Sequence, residues 1–84
     1  MRVCVISVEA SCFEEAVAFY ASRYNPGDPV AWIMPRRVLR EAGVSLDEHV
    51  RRRVSRMTHP GMVEVLWLGT VGHNRGQYLV YGVA

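Results

Sequence analysis

Val38-Leu39-Arg40-Glu41-Ala42-Gly43-Val44-Ser45-Leu46-Asp47-Glu48-His49-Val50-Arg51-Arg52-Arg53-Val54-Ser55-Arg56-Met57 is the stretch whose reading decides the fold. Ser45 to Glu48 has the spacing of a capping box, so a helix is expected from there through about Met57. At 100° per residue, Leu46, Val50, Val54 and Met57 fall within an arc of roughly 80°. The opposite face carries Glu48, Arg52 and Ser55, flanked by Arg51 and Arg56, while His49 and Arg53 lie near the edges of the apolar arc. Gly43 reads as the C-terminal cap of a preceding helix that starts at Pro35, with Val38, Leu39 and Ala42 turned inward. Two helices thus meet at a short turn.

Outward from that unit, Arg2 to Val8 is rich in β-branched residues and reads as a strand. Ser11 to Glu14 offers a second capping box, and Phe13, Ala16, Val17, Tyr20 and Tyr24 recur at helical spacing behind it. Phe19 falls off that stripe and is expected at a partner contact. The Asn25-Pro26-Gly27-Asp28-Pro29 segment is dense in turn formers, and Val30 to Met34 reads as a short strand. Beyond the turn at Pro60-Gly61, strands are expected over Met62 to Leu68 and Gln77 to Val83. Three glycines between them predict a long, mobile hairpin loop over 69–76 with a cationic tip. Both faces of the hairpin are largely apolar, so it needs cover on two sides.

The 84 residues are one domain, 1–84, in which half the residues are hydrophobic and 21% are charged. Every basic residue is an arginine. Residues 1–34 carry a net −2, residues 35–57 a net +4 and residues 58–84 none, so the overall +2 is a basic middle behind a mildly acidic start. A basic stripe of this kind suits phosphate. The longest apolar run is too short for a membrane span, and the first residues lack the layout of a signal peptide. The expected location is the cytoplasm, or the host cytoplasm for a viral protein.

The order of strand, helix, short strand, helix, tight turn, helix and hairpin resembles the winged helix-turn-helix family over roughly residues 11–84. The likeness rests on residues 38–45 as second helix and turn, residues 49–57 as recognition helix, and Gly61-Met62-Val63-Glu64-Val65 leading to Gln77-Tyr78-Leu79-Val80 as the wing. The chain departs from the family pattern at His49, where an apolar residue is usual, which implies a longer turn or a shifted helix angle. It also adds an N-terminal strand. The resemblance implies an α+β winged helix-turn-helix of three helices and a C-terminal hairpin wing. Its implied function is sequence-specific binding of double-stranded DNA, as in a small prokaryotic or viral transcriptional regulator.

Under that reading, helix 45–57 enters the major groove, and wing loop 69–76 meets the backbone or minor groove. Backbone contacts are expected from Arg36, Arg37, Arg56 and Arg75, and base readout from His49, Arg52 and Ser55. Arg51, His73 and Asn74 complete the interface. A homodimer is expected, formed through the first strand, Phe19 or the outer hairpin face. The alternative is a winged-helix protein-interaction module whose arginines pair with an acidic partner without touching DNA.

Other signals have structural readings. Arg53 is expected to snorkel or to pair with an acid such as Glu41. Glu48 belongs to its capping box. Cys4 and Cys12 lack a zinc spacing, and the histidines lack one too. Trp32, Trp67, Tyr78 and Tyr81 read as core or interface aromatics. No pairing of nucleophile with base and no phosphate-cradling loop appears, so neither an enzyme nor a cofactor or metal site is expected.

Overall fold

The structure is a computed structural model that describes residues 2–24 and 33–84, with side chains described for 2–24 and 37–84. The expected turn over 25–29, Trp32 and the side chain of Arg36 lie outside those residues. Within them the chain is a small α+β domain of three helices and one four-stranded sheet. Strand β1 (Val3–Ala10) leads to α1 (Phe13–Arg23), then to β2 (Ile33–Pro35), α2 (Arg36–Ala42), α3 (Leu46–Val54), β3 (Val63–Gly72) and β4 (Arg75–Val83). The sheet order is β1-β4-β3-β2. All neighbours are antiparallel except β2 and β3, which run parallel.

The helices divide between the two faces of the sheet. On one face Ala16 and Tyr20 of α1 are buried on Cys4, Ile6, Val63, Val65, Tyr78 and Val80, with Phe13, Val17 and Tyr24 packed around them. These are the residues of the expected apolar stripe. The other face of β3 and β4 holds Leu66, Tyr81 and Val83, covered by Leu39 of α2 and by Leu46, Val50 and Val54 of α3. The two-sided apolar hairpin is therefore sandwiched, and β1 extends the sheet beside it.

Local chemistry sets the boundaries. Gly43 adopts φ 70°, and the Gly43 and Val44 N–H groups bond the carbonyls of Arg40 and Leu39. That pair of bonds closes α2 in a Schellman motif, which requires the left-handed residue that glycine supplies. The Ser45 hydroxyl accepts the Glu48 N–H at 3.2 Å, so Ser45 caps α3 as expected, but the Glu48 carboxylate accepts from Arg52 instead of closing the other half of the box. At α1 the box does not form. The helix begins one residue later behind Cys12, and the Ser11 hydroxyl donates to Glu15 instead. Val38 is also corrected: it faces solvent, and Leu39 alone of the expected inward trio is buried.

The predicted long loop over 69–76 is absent. β3 runs on to Gly72 and β4 starts at Arg75, leaving only His73 and Asn74 as the turn, with Asn74 at φ 58°. Register shifts between Trp67 and Gly69 and between Thr70 and Gly72 absorb the irregular residues within the strand. Glycines inside a strand mark such bulges as readily as they mark a loop.

Candidate nucleic-acid interface

The second half of α3 and the turn after it expose Arg51, Arg52, Ser55 and Arg56 together. They can face outward because Leu46, Val50, Val54 and Met57 hold the opposite side of the segment on the sheet. Helix α3 ends at Val54, three residues before the expected stop, and tightens into a last turn in which Arg56 N–H bonds the Arg53 carbonyl and Met57 N–H the Val54 carbonyl. Ser55 donates its hydroxyl to the Arg52 carbonyl at 2.8 Å and is exposed. Arg37 and Arg40 of α2 are exposed in the same layer. Arg40 was not singled out as a contact, although its position three residues after Arg37 places the two on neighbouring turns.

Among these cations only Arg52 has a carboxylate partner in the described residues, Glu48 at 2.6 Å one turn earlier. Exposed pairs at this spacing are weak and exchange readily for another anion. Arg37, Arg40, Arg51 and Arg56 make no ion pair among the described residues.

Two expected contacts, His49 and Arg75, and the expected ion pair of Arg53 are placed otherwise. His49 is only 5% exposed and sits against Tyr81, its Nε2 hydrogen-bonded to the Tyr81 hydroxyl at 2.8 Å. It is thus a buried core residue and cannot reach base edges from there. Arg53 makes a two-pronged pair with Glu64, from Nε at 2.9 Å and Nη2 at 2.5 Å. The acid is a strand residue, not the Glu41 expected. Arg75, at the hairpin turn with exposed His73 and Asn74, donates to the Glu9 carbonyl at 2.8 Å and lies 3.6 Å from the Glu9 carboxylate.

The hairpin turn also stands apart from α3. His49 bonds Tyr81, and Arg53 grips Glu64, the residue paired with Tyr81. Six β4 positions separate Tyr81 from Arg75, about 20 Å of strand. The face between them carries Leu79, Gln77 and Glu9 instead of arginine. The expectation of one surface joining the α3 arginines to the tip is therefore not met.

Burial lowers the His49 pKa below its usual value against the opposing pull of the Glu64 charge. Burial, with the Glu64 charge second, raises the Tyr81 phenol. Folding thus favours the neutral imidazole. Below about pH 6.5 the unfolded chain takes up a proton more readily than the folded chain, so stability declines as pH falls below that value. Denaturant unfolding between pH 7 and 5 checks this: the decline should shrink in His49→Gln, and an unchanged slope would contradict it.

Cys4 and Cys12 are both free thiols. Among the described residues, no three acids, histidines or cysteines converge to hold a metal ion. No described helix is long and apolar enough to cross a membrane. Comparison with protein-family models, curated proteins and solved structures finds no match for this chain.

Proposed function

We propose that the chain is a double-stranded DNA-binding domain, related in plan to the winged helix-turn-helix family, that acts as a small transcriptional regulator through α2 and α3. The carrying observation is the set of exposed arginines on those helices, of which only Arg52 has a carboxylate partner among the described residues. Guanidinium groups spaced along one helix can each take a phosphate, and Arg52 with Ser55 can address base edges between them. This reading differs from the expected interface in two respects. His49 serves the interior, and His73, Asn74 and Arg75 lie outside the proposed contact.

Each phosphate neutralised adds about −0.9 to the slope of log affinity against log salt. Titration of a fluorescent duplex at several salt concentrations should give a steep dependence for the native chain. Arg51→Ala with Arg56→Ala should flatten it by about 1.8. Arg75→Ala should leave both affinity and slope unchanged, because the tip stands about 20 Å of strand away from the contacts of α3 on Tyr81 and Glu64. No binding at low salt would overturn the proposal, and capture of an acidic protein by the same arginines would favour the interaction-module alternative.

A further inference from the structure

The two edges of the sheet are unlike. The β2 edge has three strand residues among those described and ends at Pro35. The β1 edge runs for eight residues with no proline, glycine or bulge, and its only charge is Glu9 near the end. Arg2 and Ala84 exchange both backbone hydrogen bonds, which fixes the alternation along the strand. The N–H and C=O groups of Val3, Val5, Ser7 and Glu9 therefore point away from β4. Val3 and Val5 are 52% and 42% exposed. Natural edges of this length are normally blunted by charge, proline or a bulge.

Beside this edge α1 presents a second stripe. Phe19, Ser22 and Arg23 line a groove with residues 5–9 of β1, and Phe19 is 45% exposed. Glu15 lies one turn before Phe19 and Arg23 one turn after it. A two-fold axis at Phe19 sets each Phe19 against its copy and each Glu15 against Arg23 of the other chain. Such spacing is self-complementary in charge, the requirement of an interface that uses one patch twice.

We infer that a second copy of this chain occupies the edge, pairing β1 with β1 antiparallel to form a continuous eight-stranded sheet. Centring the axis on Ile6 matches all four outward residues, with Val5 opposite Ser7 and Val3 opposite Glu9. The outward backbone groups of Val3, Val5 and Ser7 then gain partners, and the Glu9 carbonyl, which already accepts from Arg75, takes its second bond. The two α1 helices lie on one face, about 10–15 Å apart given the strand spacing, within reach of paired phenylalanines and Glu–Arg bridges. Both α2–α3 pairs lie on the other face. The inference does not depend on DNA binding, although it would set two arginine clusters on one side of the assembly.

Sedimentation of the full chain tests it. Native protein should sediment at twice the chain mass of 9.5 kDa. Val5→Pro removes an N–H that faces away from β4, so circular dichroism should stay native while the dimer dissociation constant rises at least roughly tenfold. Glu15→Arg and Arg23→Glu should each weaken self-association, and mixing the two variants should restore a dimer, because the altered chains complement each other across the axis. A native chain that stays at single-chain mass at its highest soluble concentration would overturn the inference. So would a folded Val5→Pro variant that dimerises as tightly as the native chain, or failure of the two charge variants to associate on mixing.

Discussion

Gly82→Ala is expected to cost more than about 3 kcal/mol and to leave much of the chain unfolded at ambient temperature. Gly82 lies in β4, an inner strand of the sheet, paired with Cys4 on one side and Val63 on the other. A Cβ there would drive into the Met62 carbonyl oxygen and stand 3.0 Å from the Tyr20 hydroxyl. The carbonyl cannot yield easily, since it accepts the Val83 N–H that holds the start of the hairpin. Tyr20 cannot yield either, because its ring is buried in the centre of the α1 face. Both obstacles are part of the interior. Urea unfolding followed by tryptophan fluorescence and far-ultraviolet circular dichroism measures the loss. A variant with native stability would mean that α1 and the β3 entry relax far more freely than this packing implies.

Arg53→Ala should destabilise by about 3 kcal/mol, the low end for breaking a buried ion pair because the guanidinium keeps some contact with water. The Glu64 side chain is 10% exposed, and its hydrogen bonds to Arg53 raise the arginine pKa further. Removing the arginine strands a carboxylate beside Tyr81, and that uncompensated charge, more than the lost attraction, drives the effect. Adding Glu64→Gln to Arg53→Ala should therefore recover part of the loss. Arg51→Ala, two residues away and exposed, should stay within about 0.5 kcal/mol of the native chain. If both alanine variants behave alike in urea, Arg53 is not the anchor described above.

Much of the fold was legible because its signals are local. Ser45 caps α3 and Gly43 closes α2, each through groups within five residues, and the apolar stripe of α1 needs only its own periodicity. His49 was harder. Helical spacing puts it at the edge of the apolar arc, where direction depends on what the facing element offers. Here that is the hydroxyl of Tyr81, 32 positions away. Arg53 poses the same problem, since its partner lies 11 residues on, in a strand whose register no spacing rule gives. The glycines at 69, 72 and 76 misled for another reason. At Gly76 a Cβ would stand 2.9 Å from the Trp67 ring nitrogen, so glycine answers a side chain across the strand there and not the needs of a turn. For the candidate site, the exposed half of α3 was readable from the sequence, and the isolation of the tip was not.

The contrast between the two cysteines gives the chain a practical asymmetry. Cys4 is sealed under α1, whereas Cys12 is open to solvent at the threshold of that helix. A maleimide dye or nitroxide applied to the native protein should therefore attach at one place without any engineered residue. In the edge-to-edge dimer inferred above, the two labels would sit at opposite ends of the shared seam, about 30 Å apart by strand rise. A spectroscopic ruler can read that separation directly in unmodified sequence.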